Sequence, residues 1–154
     1  MSADRIPPVA SFRHTVAIPS PPEAVFPWLL EEDKVPRWTG DLEAYEVLGG
    51  GPLAQGSRVR QVLTVSGQRV ELELELTRYD PPREAESHFG ISGLDVEVTY
   101  ALAAVNGGSE LTQTLEGKAS SFKARMLLPV VQPRLERKLT EDLERLRELL
   151  SAAA

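Results

Sequence analysis

The chain alternates apolar and polar residues over several stretches, which is the pattern of a half-buried β-strand. The clearest stretch is RVELELELTRY, where leucines alternate with Glu71, Glu73 and Glu75. Because every second position is charged, these glutamates are assigned to a solvent-exposed outer face. The same pattern predicts seven strands, at residues 9–18, 42–48, 57–66, 69–79, 85–89, 94–105 and 110–116. Short turns join the last six, so we expect an antiparallel meander with one dry face.

Apolar residues at helical spacing replace the alternation between strands 1 and 2. Residues 25–26 and 29–30 share one side of a short helix. Pro27 lies within this segment and has no backbone N–H to donate. We therefore expect a kink or break before Trp28 and a second short helical piece near residues 35–38.

A long amphipathic helix is predicted at the C-terminus, from about residue 120. Its apolar stripe consists of leucines spaced three or four residues apart, Leu135, Leu139, Leu143, Leu146 and Leu150. The stripe is too short for sustained heptads, which favours core packing over a coiled coil. Pro129 and Pro133 are expected to bend or interrupt this helix.

Length and composition narrow the class of protein. A chain of 154 residues is the size of one domain, which we place at residues 9–151 behind a flexible leader at residues 1–8. The absence of cysteine excludes disulfides and thiolate chemistry. No signal-peptide pattern and no apolar run of about 18 residues is present, so we expect a cytoplasmic protein without membrane insertion.

The balance of charge also bears on the partners. The chain has 17 basic and 23 acidic residues, a net charge of -6, and no basic cluster stands out along the sequence. Neither nucleic acid nor an anionic membrane is therefore expected as a partner. The oligomeric state cannot be read from these features.

One glycine-rich stretch, GGGPLAQGSRVR at residues 49–60, approaches a phosphate-binding loop. That motif needs a lysine directly after its second glycine and a helix that begins there. Here Ser57 follows Gly56, and the pattern beyond is that of a strand. The stretch is therefore interpreted as a turn, and no cofactor is expected. His14 and His88 fall on opposite strand faces, so no metal site is expected either.

The order of the predicted elements resembles the helix-grip fold of the SRPBCC (START-like, pollen-allergen-like) superfamily, and within it the polyketide cyclase/dehydrase and lipid-transport branch. The matching segments are VAIPSPPEAVF (16–26), Trp38, GGGPLAQGSRVR (49–60), LTRYDPPREAE (76–86), LTQTLEG (111–117) and EDLERLRELL (141–150). The resemblance implies an α+β fold in which a curved seven-stranded antiparallel sheet wraps around the long C-terminal helix, with two short helices between strands 1 and 2. It also implies a cavity between sheet and helix. It implies no single activity, because the superfamily includes carriers, cyclases, hydrolase-like enzymes and chaperone activators.

Strand alternation and helix position together select the side chains that face this implied cavity. The predicted ligand-binding residues are His14, Trp28, Trp38, Gln61, Leu63, Leu74, Phe89, Val98, Tyr100, Gln113, Phe122 and Met126. By the alternation, the inward set contains no Asp, Glu, Lys or Arg. No catalytic residue is assigned. His88 points outward, so Ser87 and His88 cannot act as nucleophile and base.

Several of these residues have two interpretations. His14 is either a catalytic group or an ordinary, satisfied histidine at the end of a strand. Tyr100 and Gln113 either bind a ligand or satisfy each other. Trp28 and Trp38 either stack on a ligand or pack in the core.

Three functions are compatible with this pattern. The first is binding or transport of a hydrophobic, amphipathic or aromatic small molecule, since the predicted cavity is apolar with few polar groups. The second is a polyketide cyclase/aromatase or dehydratase, in which an inward polar group moves a proton. The third is a protein-interaction module, which would need a large exposed apolar patch.

Overall fold

The computed structural model describes residues 10–65 and 67–153, and the predicted leader at residues 1–8 lies outside them. Within these ranges the strands are β1 (Ala10–Ile18), β2 (Leu42–Val47), β3 (Arg58–Val65), β4 (Gln68–Asp80), β5 (Glu84–Ile91), β6 (Leu94–Val105) and β7 (Gly108–Ala119). The helices are α1 (Pro22–Val25), α2 (Pro27–Leu30) and α3 (Phe122–Ala153), with a 3-10 turn at Val35–Arg37. None of the helices in the described part is long and apolar enough to cross a membrane.

All seven strands form one antiparallel sheet in the order β1-β7-β6-β5-β4-β3-β2. The predicted meander is present from β2 to β7, because each of these strands pairs with the next one in the chain, through a ten-residue loop between β2 and β3 and through short turns elsewhere. The segment with α1 and α2 links the two edge strands, β1 and β2. The prediction of a curved seven-stranded sheet around a long C-terminal helix, with two short helices between the first two strands, is confirmed.

The outer face of the sheet is charged, as the alternation predicted. Glu73 and Glu71 of β4 form ion pairs with Arg58 and Arg60 of β3, at 2.7 and 2.9 Å. Exposed pairs of this kind contribute little to stability. They keep this face in water and leave the other face for the core.

The helix α3 packs its C-terminal half on the inner face of the sheet. Leu143 and Leu146 are fully buried, in one cluster with Val16 of β1 and Leu111 of β7. This packing removes one apolar stripe of α3 from water, which contributes roughly 1.5 to 3 kcal/mol for each fully buried leucine. Because β1 lies directly under this half of α3, the two elements are in close contact at that edge of the sheet.

The prolines affect the two helical regions differently. Pro27 separates α1 from α2 at Phe26, as expected. Pro129 and Pro133 lie inside α3 without ending it, so an interruption is not observed. Both are exposed and one helical turn apart. The backbone hydrogen bond that each proline cannot donate is therefore missing on the side of α3 that faces solvent.

Candidate functional site

A cavity of about 130 Å³ lies between the inner face of the sheet, α2 with the 3-10 turn, and the middle of α3. Its walls are mostly apolar, with leucines of β3 and β4, Phe89, Val98 and Leu115 on the sheet side and Leu135 and Leu139 on the helix side. An engineered apolar cavity of similar size, about 150 Å³, binds benzene, whereas drug-sized ligands occupy about 300–1,000 Å³. The cavity as it stands therefore suits a molecule of about one ring, and a larger ligand requires its walls to move.

The polar centre of the cavity is the pair Tyr100 and Gln113, which lie directly opposite each other on β6 and β7. The Gln113 Nε2 atom donates a hydrogen bond to the Tyr100 hydroxyl at 3.2 Å. Gln113 is 2% exposed, and its Oε1 atom has no hydrogen-bond partner among the described residues. A buried acceptor without a donor costs about 1–3 kcal/mol. The hydroxyl or N–H group of a ligand would satisfy it.

The helix side of the cavity contains a charged cluster centred on Asp142, whose side chain is buried. Its Oδ2 atom accepts from Lys138 Nζ at 2.7 Å, and its Oδ1 atom accepts from the Gly40 N–H and from Arg145 Nη1, both at 3.0 Å. Lys138 also donates to the Gly40 carbonyl, and Arg145 to the Trp38 carbonyl. The cluster therefore joins α3 to the segment that follows the 3-10 turn and fixes one cavity wall.

This cluster corrects the expectation that no charged residue faces the cavity, because Lys138 and Asp142 both line it. Strand alternation could not find them, since they lie on α3. A signal was present in the sequence. Asp142 is four residues before Leu146 and three after Leu139, so it falls within the apolar stripe of the helix. A charge at that position indicates a buried, paired group.

Burial raises the pKa of two tyrosines at the site. The pKa of Tyr100 is raised above its ordinary value mainly by burial and further by the negative charge of Asp142, although the hydrogen bond from Gln113 acts in the opposite direction. The pKa of Tyr45, which donates to the Leu30 carbonyl at 2.7 Å, is raised by burial, by Tyr100 and by Glu32. Both hydroxyls therefore stay protonated near neutral pH and can donate hydrogen bonds.

An alkaline titration tests this directly. The pKa of Tyr79, the third tyrosine of the chain, is also raised, by burial and by Glu31. We expect the native protein to show less tyrosinate absorbance at 295 nm near pH 10.5 than the unfolded chain in urea, whose tyrosines ionise around the ordinary pKa of about 10. Since the folded-state pKa is raised, the contribution of these tyrosines to stability is complete below pH 10 and is lost as the pH rises beyond it. A native titration curve that matches the unfolded one would contradict the buried placement.

The comparisons with known proteins agree with this geometry. The model of a family described as polyketide cyclase / dehydrase and lipid transport matches residues 9–151. The chain belongs to this family. Among curated proteins none matches the sequence.

Solved structures share the fold of this chain at low sequence identity. TTHA0849 from Thermus thermophilus is 20% identical, with a TM-score of 0.77, and the match covers 94% of this chain and 99% of that one. Ara h 8.0201 is 14% identical, with a TM-score of 0.74 and coverage of 93% and 98%. Ms6760 from Mycobacterium smegmatis is 18% identical, with a TM-score of 0.69 and coverage of 94% and 92%. At these identities the likeness establishes the helix-grip fold alone.

In this family member, eight of the twelve predicted ligand-binding residues line the cavity, and their role in binding stays a prediction. They are Trp38, Gln61, Leu63, Leu74, Phe89, Val98, Tyr100 and Gln113. All but Trp38 lie on strands whose alternation fixed their direction. Trp38 is 4% exposed, and its Nε1 atom donates to the Trp28 carbonyl at 2.8 Å.

His14 does not line the cavity, although it lies on the inner face of β1. Its Nε2 atom is 3.0 Å from Glu144 Oε2 on α3, and its ring stacks on Phe12. The reason is the close packing of β1 against α3, which fills this edge of the fold. Glu144 therefore provides His14 with a hydrogen-bond partner away from the cavity. The pKa of Glu144 is lowered by its hydrogen bonds with Arg147 and with His14.

Trp28, Phe122 and Met126 also lie outside the cavity lining. The Trp28 ring is half-buried, and the Arg37 guanidinium lies over it, 4.8 Å from the ring centre. Phe122 and Met126 are 68% and 65% exposed, because the N-terminal half of α3 turns its apolar side to solvent. The prediction that α3 supplies these two residues to the cavity is therefore wrong, and Leu135 and Leu139 supply that wall instead.

Tyr45 lines the cavity and was missed for a local reason. A register shift between Leu42 and Ala44 places an extra residue in β2. As a result Leu42 pairs with Leu63 and Tyr45 pairs with Gln61. Leu42 and Tyr45 are three residues apart, whereas their partners, which both line the cavity, are two residues apart. Strict alternation places Leu42 and Tyr45 on opposite faces, so a bulge of this kind cannot be read from it.

Proposed function

We propose that this protein binds a small hydrophobic or amphipathic molecule, of about one ring and with a hydrogen-bond donor, in the cavity between the sheet and α3. The observation that carries the proposal is the buried Gln113 Oε1 atom without a partner among the described residues, set in an otherwise apolar wall. The ligand gains most of its affinity from burial of its apolar surface, at roughly 25 cal/mol per Å². Gln113 orients the donor group of the ligand, and an acceptor on the ligand can accept a hydrogen bond from the Tyr100 hydroxyl.

Two observations favour binding over catalysis. Both oxygens of Asp142 already accept hydrogen bonds, from the Gly40 N–H and from Lys138, and Lys138 also donates to the Gly40 carbonyl. A general acid or base needs a proton that it can exchange with the substrate. Tyr100 has a raised pKa, so its hydroxyl is a hydrogen-bond donor at neutral pH and a poor base.

The second candidate function is a cyclase or dehydratase that acts on the same kind of molecule. The description of the family includes this chemistry, and Tyr100 supports it. The Tyr100 hydroxyl is the acceptor in its hydrogen bond with Gln113, so it can still donate its own hydrogen. That hydrogen can stabilise negative charge that develops on a carbonyl oxygen of the substrate. In this function Tyr100 is the residue we expect to contact the reacting group.

Native mass spectrometry of the purified protein distinguishes the two. A carrier is expected to release a bound compound whose mass is unchanged after incubation and after denaturation. An enzyme is expected to convert a supplied one-ring polyketone to a product lighter by one water, and Tyr100→Phe should stop the conversion. If the protein carries no compound and takes up none from a set of one-ring alcohols and ketones, the binding proposal is wrong.

A further inference from the structure

The N-terminal half of α3 exposes an apolar surface that the cavity does not use. Among the described residues, five large apolar side chains are exposed, and four of them lie here. Phe122, Met126 and Val130 follow one another at four-residue spacing, and Leu127 lies beside them. They are 68%, 65%, 59% and 45% exposed. We call these four residues the α3 apolar face.

The opposite side of the same helical segment is fixed to the sheet. Ala124 is 1% exposed and lies against Gly93, at the tip of the β5–β6 hairpin. The N–H and the hydroxyl of Ser120 both donate to the Gly93 carbonyl, at 2.7 and 2.9 Å. The segment is therefore held in place, and its apolar side points away from the protein because the polar contacts hold the other side.

Basic residues surround this face. Lys123, Arg125 and Arg134 lie within or beside it, and no acidic residue occurs between Phe122 and Leu135. The net charge of -6 for the whole chain conceals this local excess of positive charge. The expectation of no anionic membrane partner rested on the net charge and on the lack of a basic cluster along the sequence, and it did not consider the three cations on this one helical segment.

The same charges decide between occupants. A second copy of the chain on a symmetric interface would bring this face against the same face of the partner, so that the cations of both copies would lie close together. A surface with dense negative charge and an apolar interior complements both features at once. We propose that the α3 apolar face adsorbs on an anionic phospholipid surface, with its four apolar side chains in the boundary between headgroups and acyl chains.

Adsorption of this kind requires no membrane-spanning helix. Amphipathic helices with cations beside an apolar side bind in the plane of the interface. Further along α3, Leu135 and Leu139 form the wall of the cavity, so adsorption would bring the cavity next to the lipid. The proposal does not depend on ligand binding, and it can be tested with the unliganded protein.

Sedimentation with sucrose-loaded vesicles tests it. The protein is expected to bind vesicles of phosphatidylcholine with about 30% phosphatidylserine and not vesicles of phosphatidylcholine alone. The double variant Lys123→Gln/Arg125→Gln is expected to bind roughly 25-fold more weakly, at about fivefold for each cation near a charged surface. The double variant Met126→Ser/Val130→Ser is expected to lose about tenfold or more, because it removes the buried apolar area.

Two matched variants serve as controls. Val105 is an apolar residue of similar exposure, 46%, on a different hairpin, and Arg13 is an exposed cation on β1. Val105→Ser and Arg13→Gln should bind the vesicles like the unmodified protein. The proposal is overturned if the unmodified protein does not sediment with anionic vesicles, or if the α3 variants bind as well as the controls. It is also overturned if the protein dimerises without vesicle binding and Met126→Ser/Val130→Ser makes it monomeric.

Discussion

Replacing Asp142 with alanine is expected to lower the free energy of unfolding by about 3–5 kcal/mol, the usual cost of removing one partner of a buried ion pair. The variant leaves the Lys138 ammonium, whose side chain is 15% exposed, without its carboxylate. It also removes the acceptor of the Gly40 N–H. Domains of this size have about 5–15 kcal/mol of stability in total, so the loss is a large fraction of it. Urea denaturation followed by circular dichroism measures the effect.

Two further variants make this prediction specific. Glu141 precedes Asp142 on the same helix and is exposed, so Glu141→Ala should change the free energy of unfolding by less than about 0.5 kcal/mol. The double variant Asp142→Leu/Lys138→Met replaces both charges by apolar groups and should recover the part of the loss that comes from the unpaired Lys138 charge. If Asp142→Ala costs less than about 1 kcal/mol, the cluster is hydrated and does not fix the cavity wall.

The second large effect concerns ligand preference. We expect the protein to bind 4-methylphenol about 2–10-fold more tightly than toluene, because a net hydrogen bond contributes about 0.5–1.5 kcal/mol and only the phenol can donate to Gln113 Oε1. Gln113→Leu removes that acceptor and should reverse the preference in favour of toluene. Isothermal titration calorimetry of both compounds with both proteins gives the ratio.

A neighbouring residue provides the control for this prediction. Thr114 follows Gln113 on β7 and points to the other side of the sheet, so Thr114→Val should keep the preference for the phenol. An unmodified protein that binds the two compounds equally, or a Gln113→Leu variant that still prefers the phenol, would show that Gln113 does not orient the ligand.

The fold could be predicted from the sequence because two periodic patterns of apolar residues are unambiguous in it. The alternation around Glu71 and Glu75 specifies a strand with one wet face, and the leucine stripe of α3 specifies a long helix. The strand register then decided which side chains of β3 to β7 face inward. Tyr100 and Gln113, which pair across β6 and β7, were both placed correctly on the inner face for this reason.

The rest of the site depends on tertiary contacts that no period encodes. His14 has the correct face for the cavity, but α3 covers β1 at that edge and gives it Glu144 as a partner. Met126 is apolar like a core residue, yet it lies on the solvent side of its helical segment, while Ala124 on the other side packs against Gly93. Asp142 and Lys138 enter the wall because Gly40, far earlier in the chain, supplies their partners. Such pairings are fixed only when the chain folds.

One titration tests most directly whether the hollow between the sheet and α3 is the binding site. Ser87 is 6% exposed and lines the cavity, so Ser87→Phe fills it with an aromatic ring, whereas His88→Phe adds the same ring to the outer face. NMR titration with 4-methylphenol should show saturable shifts at cavity residues in the unmodified protein and in His88→Phe, and none in a folded Ser87→Phe variant. If Ser87→Phe binds the phenol as well as the unmodified protein does, the ligand lies elsewhere and the account of the cavity is wrong.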